Sequence, residues 1–260
     1  MKLEVRDLNV WFGERQVVAV DRLDLDRGET LGLVGETGSG KSLTAYSIAG
    51  LAPGMGARVE GSVTLDGREL IGLSDRELRE IRGRRVAMIF QAPISSLNPV
   101  FRVGDMFQRA LRLHGAGKQD ARRLAAEAMN AVALSPDLLR RYPHQLSGGQ
   151  AQRVAIALAV ALRAEVLIAD EPTSALDVTV QAEILEQLQA LRAEEGIATL
   201  FISHDLAVVS GLCNRVAIMR EGRIVEQGPV GTTLREPRHP YTKQLLAAVP
   251  RLSAVGSADA

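Results

Sequence analysis

Several things are scarce in this chain of 260 residues, and each scarcity removes a class of protein. There is one cysteine, Cys213, so neither an intramolecular disulfide nor a cysteine metal cluster can form, and its expected role is that of a small buried side chain. Neither sign of charge is in excess: 31 basic residues face 31 acidic ones, which argues against a primary nucleic-acid binder, since such proteins gain affinity from clustered Lys and Arg. Long apolar runs are missing too. The most apolar stretch, VAIALAVAL at 154–162, ends at Arg163 and Glu165 and is too short for a hydrocarbon layer of roughly 30 Å. The first ten residues, MKLEVRDLNV, lack the continuous apolar core of a signal peptide, so a cytoplasmic chain is expected, with any membrane role peripheral and mediated by partner proteins. No internal repeat is seen, which implies one functional unit per chain.

What is present reads as a soluble α/β protein whose 46% hydrophobic content suffices for a sizeable core. Up to about residue 70, apolar runs at 17–20, 30–34 and 62–65, the last followed by an Asp66-Gly67 turn, predict a β-rich layer. Ser74 to Glu77 form a capping box, with Leu78 and Ile81 one turn apart, so a short helix follows, and 86–90 reads as a buried strand. Between about 92 and 145 the spacing becomes helical, with Leu124, Met129 and Val132 close to one face after a cap expected at Asp120. Strand and helix then alternate: a helix over 148–163, a strand at 166–169, a helix over 178–195 carrying Val180, Ile184, Leu188 and Leu191 on one side and stopped by Gly196, and a strand at 199–203. This pattern predicts a mostly parallel sheet covered on both faces.

Three motifs carry chemistry. GETGSGKS at 35–42 lies between an expected strand and an expected helix, the context that a P-loop requires. Its glycines let the backbone curl so that several N–H groups face one phosphate chain, and the helix N-terminus adds partial positive charge. Gly35, Glu36, Thr37, Gly38, Ser39, Gly40, Lys41, Ser42 and the following Leu43 are therefore candidate nucleotide-binding residues, with Lys41 supplying a cation for the β- and γ-phosphates and Ser42 a hydroxyl for Mg²⁺. A glycine turn with a solvated lysine is the bland alternative, and the complete pattern argues against it. VLIADE at 166–171 is an apolar strand ending in two acids, suited to Mg²⁺ organisation by Asp170 and water activation by Glu171. LSGGQ at 146–150 precedes the alanine-rich helix; in isolation it reads as a loop with a serine cap.

Together with the other two motifs, LSGGQ makes the chain resemble the ATPase subunit of ATP-binding cassette (ABC) proteins over almost its whole length. Further stations follow in that family's order: Gln91 after the strand at 86–90, SALD at 174–177 where the family has its D-loop, His204 after the strand at 199–203, and an aromatic, Phe12 in preference to Trp11, where adenine stacks. The resemblance implies a RecA-like P-loop NTPase core, with an antiparallel N-terminal β-layer and an inserted helical subdomain. It implies one nucleotide-binding domain over 1–235, with its core in 1–91 and 147–235 and the helical part at about 92–146, and a short extension over 236–260. It also implies a composite site, in which ATP held by Lys41 and Ser42 of one cassette is closed off by Ser147, Gly148, Gly149 and Gln150 of another, and Asp177 of the D-loop match counts among the nucleotide-binding residues. Glu171 would be the general base, His204 would contact the γ-phosphate, and Gln91 would reach Mg²⁺ and the attacking water.

Two segments narrow the resemblance to importers of peptides and nickel: QAPISSLNPV at 91–100 and the tail PRHPYTKQLLAAVP at 237–250. The chain departs from that pattern at Ala92, where an acid is usual, and at Ala151, where many relatives carry a basic residue. Several peptide importers extend into a cysteine cluster holding an iron–sulfur centre; with Cys213 alone, no such centre is expected, and the short tail is more like that of nickel and metallophore importers without excluding peptides. The implied assembly has two transmembrane permeases, a second, different cassette ATPase (a homodimer being the alternative) and an external binding protein, at the cytoplasmic face of the inner membrane. The alternative function is a soluble ABC-type ATPase acting on DNA or ribosomes, against which stand the single cassette, the short insert and the lone cysteine. Glu171 and His204 argue against a cassette that binds nucleotide without turnover.

Overall fold

The computed structural model describes residues 2–91, 96–173 and 178–248. Two sheets build it. In the first, β1 (Lys2–Phe12) pairs antiparallel with β2 (Arg15–Asp26) on one side and β4 (Arg58–Leu65) on the other, and β5 (Arg68–Glu69) adds to β4. The turn between β4 and β5 is the expected Asp66-Gly67 pair, both left-handed at φ 51° and 77°, the geometry whose twist matches a hairpin. β1 is the longest element that the sequence analysis did not single out.

The second sheet has the order β10-β9-β3-β8-β7-β6, formed by β10 (Arg223–Pro229), β9 (Arg215–Arg220), β3 (Thr30–Val34), β8 (Ala198–Ser203), β7 (Val166–Asp170) and β6 (Val86–Ile89). Every pairing from β9 to β6 is parallel and β10 alone is antiparallel. Side-chain alternation divides the interior into two cores, one on each face. Leu31, Leu33, Val166, Ile168, Leu200, Ile202, Ala217 and Met219 join the β-layer and α1 (Lys41–Ile48). Leu167, Ala169, Phe201, Val216 and Ile218 join the helices on the other side. A one-residue offset along a strand thus decides which core a side chain enters. Gly32 sits where a Cβ would meet Val209 Cγ1 at 2.7 Å and Cys213 Sγ at 3.2 Å, so its lack of a side chain lets α7 (Leu206–Leu212) lie close on the sheet, and Cys213 serves as packing.

The capping box at Ser74 forms as expected and starts α2 (Asp75–Ile81). The helical region contains α3 (Val103–Leu113), α4 (Lys118–Ala131) and α5 (Gly148–Ala161). The expected cap at Asp120 is incorrect. Gly117 is the N-cap of α4, and Asp120 sits in the first turn, where its charge suits the helix N-terminus and pairs with Arg123 at 3.4 Å. The buried stripe of α4 is made of Ala121, Ala125, Ala128 and Met129, with Leu124 only partly buried, because α4 packs closely on α5. α6 (Val178–Glu195) buries Ile184 and Leu188 and stops before Gly196; Val180 and Leu191 lie outside the described side chains. α8 (Val230–Arg235) and α9 (Pro240–Ala247) complete the described chain. Among the described residues, no helix is long and apolar enough to cross a membrane.

Candidate nucleotide site

β3 is buried along its whole length, and the chain leaves its end through Gly35, where a Cβ would lie 2.1 Å from the carbonyl oxygen of Met219. Only glycine fits against that neighbouring strand. The loop then returns to α1, whose N-cap is Gly40 at φ 103° with no side chain capping the helix, so the first-turn N–H groups are left for an anion. Gly222, in the turn between β9 and β10, supports the loop from behind by donating its N–H to Ser39 O at 2.9 Å.

Lys41 is buried and donates from Nζ to the carbonyls of Gly35 at 2.8 Å and Glu36 at 2.9 Å. Burial lowers its pKa, and the carboxylates of Glu171 and Asp170 oppose that shift. Its ammonium is thus held ready by weak neutral acceptors that a phosphate can displace.

Asp170, at the end of β7, is 0% exposed. Its Oδ1 accepts from Ser42 Oγ at 2.9 Å, while Oδ2 has no hydrogen-bond partner. Burial raises its pKa, opposed by the Ser42 hydrogen bond. An unpaired buried carboxylate oxygen next to a hydroxyl is the donor set that a hard cation such as Mg²⁺ takes up. The hydroxyl of Ser39 is likewise buried without a partner.

Glu171 follows in a left-handed conformation, φ 44°, rare for a residue with a side chain and costing about 1–3 kcal/mol. Its N–H donates to Ile202 O at 3.0 Å, which fixes the turn. The bend carries the carboxylate away from the sheet toward two partners: Gln91 Nε2 donates to Oε2 at 2.9 Å, and His204 Nδ1 lies 3.4 Å from Oε1. Gln91, Glu171 and His204, from the ends of three adjacent strands, face the phosphate loop across a cavity of about 580 Å³ that Lys41, Ser42 and Leu43 also line.

Other expected site residues lie elsewhere. Ser147 caps α5: its Oγ accepts from Gln150 N–H at 3.2 Å, and Gln150 Oε1 accepts from Ser147 N–H at 3.1 Å. None of Ser147, Gly148, Gly149 and Gln150 lines the phosphate-loop cavity of its own chain. Phe12 is exposed at the β1–β2 hairpin, whereas Trp11 is covered by the Arg58 guanidinium 4.6 Å from its ring. Asp177, with the other residues of 174–177, lies outside the described residues, as does Ala92.

In and beside the cavity lie groups that the sequence analysis missed. Tyr46, one helical turn after Ser42, has its pKa raised by burial and by the Asp170 charge. Val17 of β2 and Leu245 of α9 complete the lining, and the Tyr241 hydroxyl accepts from the Glu36 N–H at 3.1 Å. Spacing from Ser42 was the available signal for Tyr46; residues some 200 positions away gave none.

The ABC transporter family profile matches residues 19–174, and the profile of the oligopeptide/dipeptide transporter C-terminal region matches residues 225–258. Oligopeptide transport ATP-binding protein OppD of Salmonella typhimurium is 47% identical over 263 residues, covering 98% of this chain and 78% of that one. Glutathione import ATP-binding protein GsiA of the same organism is 47% identical over 266 residues, covering 97% of this chain and 43% of that longer one. Among solved structures, the dimeric post-hydrolysis state of the ATP-binding cassette MJ0796, bound to ADP and Pi, superposes with a TM-score of 0.78 at 28% identity, over 88% of this chain and 98% of that one. The cbiO1 component of the Clostridium perfringens cbiONQ transporter complex gives 0.77 at 27% identity, over 90% of each chain.

Proposed function

This chain belongs to the ABC transporter family, and from that premise we propose that it is the ATP-hydrolysing subunit of an importer of small peptides, working at the cytoplasmic face of the cell membrane. One observation carries the reading: the region that matches peptide transporters, residues 225–258, is on the same chain as a cavity that brings Lys41 and Ser42 of the phosphate loop together with Gln91, Glu171 and His204. Relatives that import oligopeptides and glutathione support the peptide half of the sequence expectation over nickel, and they leave the soluble ATPase acting on DNA or ribosomes without support.

In this reading Lys41 and the free N–H groups at the start of α1 hold the β- and γ-phosphates. Ser42 and Asp170, with Gln91 at the cavity edge, are the residues to hold Mg²⁺, which when bound neutralises phosphate charge. Glu171 accepts the proton of the attacking water, with Gln91 and His204 fixing its direction. Phe12 stacks on adenine. Because the Ser147–Gln150 helix start is absent from the cavity of its own chain, it serves the ATP of a second cassette, and Asp177 is assigned to the same nucleotide-binding set. The pair is held by two permeases, a different ATPase as second cassette is favoured over a second copy, and an external binding protein delivers the cargo. One nucleotide-binding domain over 1–235, its helical part near 92–146, presents the Q-loop segment to the permeases.

The test uses Glu171→Gln in the full chain, expressed in its source cell and extracted in mild detergent. The variant is expected to bind ATP as the parent does and to lose hydrolysis by a factor on the order of 10² or more. It is also expected to retain two permeases and a second ATPase, identified by mass spectrometry. Hydrolysis at the parental rate would refute Glu171 as the base, and recovery of only soluble partners would refute the transport reading.

A further inference from the structure

We infer that the C-terminal segment is part of the nucleotide site, with Tyr241 as a positioning residue for Lys41 through a single peptide unit. The inference rests on the nucleotide-site reading above and adds a residue to it. The peptide bond joining Gly35 to Glu36 is held at both ends: its carbonyl accepts from Lys41 Nζ at 2.8 Å, and its N–H donates to the Tyr241 hydroxyl at 3.1 Å. A peptide unit that donates and accepts together is oriented and polarised more strongly than one with a single partner. Tyr241 therefore fixes the dipole on which the lysine ammonium rests.

The placement of Tyr241 is itself built. His239 caps α9, its Nδ1 accepting from Tyr241 N–H at 3.2 Å, and Pro240 takes the first helical position, which has no need of an N–H. Glu226 of β10 fastens the segment by accepting from the N–H groups of Arg238 at 2.8 Å and His239 at 3.0 Å. The Tyr241 ring is buried, with the Arg220 guanidinium 5.0 Å from its centroid, one residue beyond the Met219 carbonyl that crowds Gly35. One turn along α9, Leu245 reaches the cavity wall. Each residue from His239 to Tyr241 thus serves to bring one hydroxyl to one N–H of the phosphate loop.

Tyr241→Phe keeps the ring and removes the hydroxyl. Titrating the full chain with a fluorescent ATP analogue in Mg²⁺, the variant is expected to bind three- to tenfold more weakly, the range of one hydrogen bond. Glu226→Ala, which leaves the hydroxyl in place and loosens its mounting, is expected to weaken binding in the same sense. In a Lys41→Ala background, Tyr241→Phe is expected to add less than twofold, because its effect passes through the lysine. A merely structural role would repeat its full loss there, and that result, or parental affinity in Tyr241→Phe, would overturn the inference. Parental affinity in Lys41→Ala alone would instead overturn the phosphate-loop reading, and this inference with it.

Discussion

Asp170 is fully buried with one oxygen on Ser42 and the other unpaired, and its pKa is raised by that burial. A carboxylate whose pKa is higher in the fold than in the open chain is penalised when ionised, so the penalty is present above the folded pKa and disappears as pH falls through it. Asp170→Asn removes the charge and keeps an acceptor for Ser42. The nucleotide-free variant is expected to be more stable than the parent at neutral pH, by about 0.5–2 kcal/mol, while Mg²⁺-dependent hydrolysis is lost. Thermal melting from neutral pH downward checks this: the gain should hold above the raised Asp170 pKa and shrink as pH falls through it toward the ordinary carboxylate value, and a destabilised variant would contradict it. Glu171, bent into a left-handed turn at φ 44°, tells the same story in backbone terms, since both acids are held in costly states at the position proposed for the chemistry.

At the scale of elements, the structural role of α5 can be set against the lid role proposed for its start. Gly148 opens the helix in ordinary backbone geometry, and nothing lies within 4 Å of where its Cβ would be. Gly148→Asp therefore fits, and its charge at the helix N-terminus is worth about 0.3–1 kcal/mol of added stability. The same charge would face the γ-phosphate of ATP on a second cassette. The expected result is a melting temperature equal to or above the parent's, with hydrolysis by the assembled transporter strongly reduced; unimpaired hydrolysis would refute the lid role. Elements like these were legible because local chemistry announces them: the capping box at Ser74, the Asp66-Gly67 turn and the apolar run into Asp170 formed where expected, and Ser147 is the serine cap that LSGGQ suggests in isolation, completed into a box by Gln150. The start of α4 was misread because Gly117, with no side chain to signal a cap, begins the helix ahead of Asp120. β1 was missed as one long strand, and α7, α8, β9 and β10 were not singled out. Tyr241 was quoted in the tail, but its bond to Glu36 spans 205 positions, and no local pattern encodes such a contact.

For the whole molecule, 31 basic and 31 acidic residues and a pI near 6.9 leave little net repulsion between copies at neutral pH. The isolated chain is expected to be least soluble close to pH 7 and to become more soluble by about pH 9 as negative charge accumulates. Precipitation across that range checks it, and a solubility maximum at neutrality would contradict it. The sheet that separates the two cores also determines which hereditary changes the protein can absorb. Between strands, an in-frame insertion lengthens a loop at small cost. Within β7 the loss of a single codon would turn Leu167 or Ile168 to the opposite face and carry the Asp170-Glu171 pair with it. Length variation among descendants of this gene should accordingly gather in the joints and spare the strands, so that a gap falling inside residues 166–170 would mark a copy that has ceased to work.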